Sequence, residues 1–186
     1  QLGAIAVAVR KHGAANPNAQ LRKPLTIEQY RESPWVVEPL RRDDCCLVSD
    51  GAAAVVLMSA QRARSLGIDK AVPILGFGQG QTSWDVAQRG DLISTGAEIS
   101  GATALKMAGL HLGDIDVAQI YDCFTITVLM TLEAYGFAAR GRGGPFCADG
   151  RLEICADLPV NTAGGLLSET GMPGLQLVLE GVRQMR

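Results

Sequence analysis

At 186 residues the chain holds one ordinary domain or a domain with a flanking piece, and with hydrophobic residues at 47% and charged ones at 19% it is globular rather than disordered. A net charge of −2 argues against nucleic-acid or anionic-membrane surfaces, which need a basic excess, and apolar runs such as Ala52–Met58 are too short to cross a bilayer. The five cysteines are an odd number, with Cys45 and Cys46 adjacent and no Cys-x-x-Cys spacing, so neither a disulfide framework nor a zinc site is expected and a reducing cytoplasm is.

In chain order, Leu2, Ile5, Ala6 and Val9 recur at helical spacing. That helix closes on Arg10, Lys11 and His12, where a cation is favoured. Asn16 to Leu40 is broken by Pro17, Pro24, Pro34 and Pro39, and only Thr26–Arg31 suits a short helix. Such long irregular stretches are usually functional or interfacial. A turn at Ser49-Asp50-Gly51 leads into a predicted strand, Ala52–Ser59, and a helix closed by Gly67. Val72–Phe77 reads as a second strand, ending in Gly76-Phe-Gly-Gln-Gly80, a poor nucleotide loop because no G-x-G-x-x-G follows. Then come a helix over Ser94–Leu110, a strand over Val117–Tyr121, a helix over Thr125–Tyr135 and a glycine-rich connection, Gly136–Gly150. Leu158–Asn161 is a short strand, Thr162–Gly174 a loop, and Leu175–Arg186 a helix. The chain opens mid-pattern at Gln1 and stops on that helix without a glycine or proline, so we expect part of a longer polypeptide or one chain of a split enzyme.

Strands alternating with helices predict an α/β fold: a mostly parallel sheet covered by helices on both faces, with ligands gathering beyond the carboxyl ends of the strands. Two segments fall there. Tyr121-Asp122-Cys123-Phe124 brings a phenol, a carboxylate and a thiol to one strand end, where they suit proton transfer, orientation and nucleophilic attack. The plainer reading makes Asp122 a helix cap favoured as the anion and Cys123 a small buried filler. In Asn161-Thr-Ala-Gly164-Gly165 the paired glycines either let a backbone approach a ligand and present an oxyanion hole, or simply make a turn with positive φ. His12 and His111, the only histidines, lie in neither segment, so a Ser-His-Asp or zinc reading has little support.

Asp50-Gly-Ala-Ala-Ala-Val-Val-Leu-Met-Ser59, a helix and then the Val72 strand resemble the junction between the two halves of thiolases. Asn16–Thr26 and Pro39–Leu57 resemble the sterol-carrier-protein thiolase branch, whose members are often described as lipid-transfer proteins or acetyl-CoA acetyltransferases. Tyr121–Phe124 falls where thiolases have Asn-Glu-Ala-Phe and this branch has His-Asp-Cys-Phe. Asn161–Gly174 falls where they have Asn-x-x-Gly-Gly followed by Gly-His-Pro-x-Gly.

The resemblance implies a thiolase-like fold divided into a loop and cap segment (1–46), the last strand and helix of an N-terminal half (47–67), and a C-terminal half lacking its final strands (68–186). It implies chemistry that makes or breaks a carbon–carbon bond in an acyl-CoA thioester, with coenzyme A carried by the substrate rather than bound as a cofactor. Tyr121, Asp122 and Cys123 would be catalytic, and Phe124, Asn161, Gly164, Gly165 and Gly171 would bind substrate. The family histidine falls on Gly171, and none of the five cysteines inherits a thiolase cysteine's role. At Tyr121 the chain resembles still better the thiolase-like aldolases, which split β-hydroxyacyl-CoA side chains, steroid ones included, with a small OB-fold partner. These look tyrosine-dependent, with tyrosines at the positions of Tyr121 and Gly171. A non-catalytic acyl-CoA or lipid-binding subunit, with Gly171 widening a pocket, is the alternative from another class. The implied partners are the N-terminal half of the fold and a second copy in a homodimer, and the isolated chain is expected to expose a large apolar surface.

Overall fold

The computed structural model describes residues 1–172 and 174–186. Helix α1 (Leu2–Ala15) runs through the middle of the molecule. Its Ile5 and Val9 are fully buried and meet Val128, Leu132, Leu152 and Val160, also fully buried. Each such side chain removed from water stabilises by about 1.5–3 kcal/mol, which gives α1 a stronger reason to stay helical than propensity alone supplies. Short helix α2 (Ile27–Glu32) starts where Thr26 and Gln29 form a reciprocal capping box. An antiparallel hairpin of β1 (Trp35–Val37) and β2 (Leu40–Arg41) follows, inside the stretch expected to be irregular. The next turn buries Asp44, whose carboxylate accepts from the Tyr30 hydroxyl, the Thr125 hydroxyl and the Arg41 N–H. One carboxylate thereby ties three separate chain segments together.

The remaining helices are α3 (Ala60–Ser65), α4 (Ala97–Ala108), α5 (Thr125–Tyr135), α6 (Gly143–Ala148) and α7 (Leu175–Gln184). Helix α6 lies in the Gly136–Gly150 connection, where no helix was expected. A five-residue π-helix, Gly165–Glu169, lies in the segment expected to be a loop.

Helices alternate with extended segments as the α/β reading requires, and the parallel direction is kept where Ala118 pairs with Val160. Ala118 N–H donates to the Pro159 carbonyl and Asn161 N–H to the Ala118 carbonyl, each at 3.0 Å. Among the described residues the β1–β2 hairpin is the only continuous ladder, since the expected strands at 52–59 and 72–77 run extended without one. A ladder needs two partners, and these segments have none to pair with; Val56 is 83% and Phe77 71% exposed. The apolar exposure expected of this chain is therefore present.

The glycines of Gly76-Phe-Gly-Gln-Gly80 have a packing function. A Cβ on Gly76, Gly78 or Gly80 would overlap the carbonyls of Ala104, Ser100 and Gly96 respectively. Those carbonyls recur every four residues along one ridge of α4, and the glycines alternate along one face of the extended segment. The motif lets a helix and an extended segment touch backbone to backbone.

Candidate active site

Tyr121 ends the extended segment that pairs with Val160, and the residue is 45% exposed. It lies in the wall of an apolar groove of about 660 Å³ with Ile74, Val117, Tyr135, Leu177 and Val178. Burial raises its phenol above the ordinary value, and the nearby Cys123, Cys46 and Asp122 push in the same direction. Proton abstraction by this phenol would need the opposite shift, so at neutral pH Tyr121 is a proton donor. Gly174 lies against its ring.

Asp122 points away from the groove and is completely buried. Its carboxylate accepts the N–H of Leu166 at 2.8 Å and of Leu167 at 3.3 Å. These amides open the π-helix, so Asp122 caps a helix, but not the one that follows it in sequence. Helix α5, which starts at Thr125 with Phe124 at its N-cap, has no side-chain cap. Nor is the carboxyl favoured as the anion: burial raises it to about 6, against the lowering influence of the Leu166 and Leu167 amides and of Asn161. Asp122 therefore shapes the site from behind.

Asn161 is fully buried at φ +54°, and its side-chain amide stands in for a strand partner. Its Oδ1 accepts the Ile120 N–H at 2.7 Å, and its Nδ2 donates to the Ile120 carbonyl at 2.8 Å. Gly165 has φ +52°, and a Cβ there would overlap Asp122 Oδ2 and lie 2.7 Å from Asn161 Nδ2. Gly164 is packed against the backbone of Gly13 in α1. The close approach that the glycine pair permits is thus to the protein's own buried groups. The next two amides, which would otherwise serve an oxyanion hole, are taken by Asp122.

Cys123 is partly exposed, with Sγ 3.4 Å from the Thr127 hydroxyl, and Thr127 lines the groove. Phe124 pairs with Cys45 across a short antiparallel bridge. Gly171 does not widen a pocket: a Cβ there would overlap the Leu47 carbonyl. Its N–H donates to the Ser49 hydroxyl at 2.9 Å. A strap over residues 45–51 covers this position. Cys46 N–H bonds the Cys123 carbonyl at 2.9 Å, Leu47 N–H bonds the Leu166 carbonyl at 3.0 Å, and Gly51 packs on Met172.

The structure thus gathers Tyr121, Asp122, Cys123, Asn161, Gly164 and Gly165, with Gly171 beneath the strap. Phe124 sits at the start of α5. Sequence reasoning missed two neighbours. Cys46 faces Cys123 across the bridge register, and burial with its two acidic neighbours raises its thiol. His12 is no exposed helix-end cation. It is buried, and its Nδ1 lies 3.0 Å from the Val160 carbonyl and 3.2 Å from the Asn161 carbonyl. A histidine three residues beyond Val9 and seven beyond Ile5 lies on the face of that buried stripe and could have been read as inward-facing; nothing in the sequence marks Cys46. No group of three or more metal-ligating side chains occurs among the described residues.

Residues 78–186 match the family model of the thiolase C-terminal domain-like family. The chain is 41% identical to the 17-hydroxy-3-oxo-4-pregnene-20-carboxyl-CoA lyase of Mycobacterium tuberculosis, over 99% of this chain and 49% of the relative. It is 37% identical to the acetyl-CoA acetyltransferase of Methanothermobacter thermautotrophicus, over 100% of this chain and 49% of that protein. Among solved structures, an Ltp2-ChsH2(DUF35) aldolase superposes with a TM-score of 0.89 at 39% identity, over 98% of this chain and 49% of that one. The chain spans about half the length of these relatives.

Proposed function

Because this chain belongs to the thiolase family, as a thiolase C-terminal domain-like chain, we propose that it forms part of an enzyme that makes or breaks a carbon–carbon bond next to a coenzyme A thioester, in the retro-aldol direction on a β-hydroxyacyl-CoA. The observation that carries this reading is the pairing of a protonated Tyr121 phenol in an apolar groove with a strap-filled Gly171. Thiolase chemistry would require a histidine at that second position, and the backbone of Leu47 occupies the space a side chain would need.

In retro-aldol cleavage the β-hydroxyl gives up its proton, its oxygen becomes a carbonyl, and the Cα–Cβ bond breaks with its electron pair moving into the thioester enolate. A proton must then reach Cα. The protonated Tyr121 phenol delivers it as its oxygen takes up the one the hydroxyl sheds, a single relay with no free phenolate, so the net change is one proton moved from oxygen to carbon. The apolar groove strengthens that hydrogen bond by excluding water. Thr127, which meets the Cys123 thiol, lines the groove, and Asp122, Asn161, Gly164 and Gly165 hold the strand end behind it.

Coenzyme A enters as part of the substrate. The proposed assembly contains the N-terminal half of the fold, with residues 47–67 contributing to it and 68–186 forming the C-terminal half. We extend to it a second copy and a small partner of the type named for the solved aldolase, and a cytoplasmic location. No described helix is long and apolar enough to cross a membrane. Acyl transfer is the second reading, favoured by the acetyltransferase relative.

The test uses Tyr121→Phe in the complete polypeptide with its partner. Cleavage of a β-hydroxyacyl-CoA should fall at least about 100-fold while folding is unchanged, because the phenol is half exposed. Wild-type turnover should also fall on the alkaline side, above about pH 10, as the phenol ionises. Unchanged cleavage in Tyr121→Phe would remove the residue from the mechanism. Condensation of two acyl-CoA molecules without cleavage would favour the second reading.

A further inference from the structure

His12 stands outside the groove, yet it is the one buried imidazole and every ring nitrogen is engaged. The Ile154 N–H donates to Nε2 at 3.2 Å. A nitrogen that accepts an N–H carries no proton, so in the neutral ring the proton sits on Nδ1. Nδ1–H then donates to the carbonyls of Val160 and Asn161. From there the bonds continue in one direction. The Asn161 amide grips both backbone groups of Ile120, and Ile120 directly precedes Tyr121. Asn161 holds a positive φ, a conformation that persists in a non-glycine residue only when its surroundings over-determine it.

We propose that His12 is a positioning residue for Tyr121, acting as a neutral Nδ1–H imidazole that fixes Val160–Asn161 and, through the Asn161 side chain, the strand end carrying the phenol. The inference rests on the catalytic reading of Tyr121 for its kinetic arm only.

The charged groups around the ring do not substitute for this arrangement. Lys11 on α1 and Glu153 beside Ile154 pair with each other. Glu180 and Arg183 of α7 share a cavity of about 260 Å³ with His12 and pair with one another. Glu169, on the π-helix packed against α1, is held by Asn16. Asp122 lies beyond Asn161. Burial dominates and lowers the imidazole below its ordinary 6.5, which keeps it neutral in the working range. Protonation would set an Nε2–H against the Ile154 N–H and break the arrangement.

Two conservative variants separate positioning from bulk. The amide nitrogen of asparagine overlays Nδ1 and can still donate to Val160 and Asn161, whereas a glutamine amide overlays Nε2 and keeps only the Ile154 contact. In the complete polypeptide, His12→Gln and His12→Phe should lower kcat about tenfold or more with KM nearly unchanged, and His12→Asn should restore most of it. The acid limb of the wild-type pH profile should become shallower in His12→Asn, which cannot titrate, leaving the part that follows Asp122. Nitrogen-15 NMR of the same protein should show a bare Nε2 and a protonated Nδ1 at neutral pH. The Ile120 and Tyr121 amide resonances should move in His12→Gln and stay in His12→Asn. Equal effects of asparagine and glutamine, or an Nε2–H tautomer, would overturn the proposal. The NMR readouts hold whether or not the protein turns over a CoA ester, so failure of the catalytic reading is seen separately.

Discussion

Asp122 lies directly beneath Gly165, close enough that no side chain fits between its carboxylate and the glycine Cα. The carboxylate spends its acceptors on the two amides just beyond, Leu166 and Leu167. That contact locks the strand end carrying Tyr121 to the π-helix.

Gly165→Ala should therefore be among the most damaging small substitutions. It forces a Cβ into the carboxylate and imposes strain at φ +52°. We expect a loss of about 2–4 kcal/mol in urea unfolding, compared with a few tenths for alanine at the open, exposed Gly90. Equal costs at the two sites would mean that the contact contributes nothing.

Asp122 also gives stability a pH dependence of definite sign. Its folded value, about 6, lies above the ordinary 3.8, so the folded state holds this proton more tightly than the unfolded chain does. Its contribution is full below about pH 4 and is lost as pH rises through about 6, a change of about 3 kcal/mol at most. His12 works in the opposite direction: its lowered value means stability is present above 6.5 and is lost as pH falls through the folded value. Asp122→Asn should remove the decline between pH 4 and 6 while leaving the acid-side loss from His12. Chemical denaturation across pH 4–7 checks both slopes.

Gly171→Ala should displace the strap rather than fill an empty space. A Cβ overlaps the Leu47 carbonyl, and relief requires residues 47–49 to move. We expect about 1–3 kcal/mol of destabilisation and faster hydrogen exchange at Leu47, whose amide bonds the Leu166 carbonyl. Slow exchange at Leu47 in the variant would show that the strap tolerates the side chain. A histidine introduced at this position should likewise fail to recreate the thiolase arrangement.

Much of the fold was legible. The Ile5-to-Val9 spacing predicts α1, the Thr26–Arg31 stretch predicts α2, and the Thr125–Tyr135 expectation has the boundaries α5 shows. Local signals sufficed there because the pattern that makes each helix lies within its own few turns. The π-helix was missed because its bonds span five residues and are held by Asp122, 43 positions before the start of that helix at Gly165. The hairpin at Trp35–Arg41 was obscured by prolines that normally interrupt a ladder.

For the site, the sequence by itself determined which residues gather at one strand end: Tyr121, Asp122 and Cys123 are consecutive, and Asn161 and the glycine pair end the next strand. The thiolase resemblance places the family's histidine position at Gly171. Only the tertiary structure decided what each group does. Burial turned Asp122 from a local helix cap into a clamp on a distant π-helix, filled Gly171 with the backbone of Leu47, and made a helix-end histidine a neutral tether for Asn161. Spacing along a chain records periodicity, whereas desolvation and hydrogen-bond partners come from segments far apart in sequence.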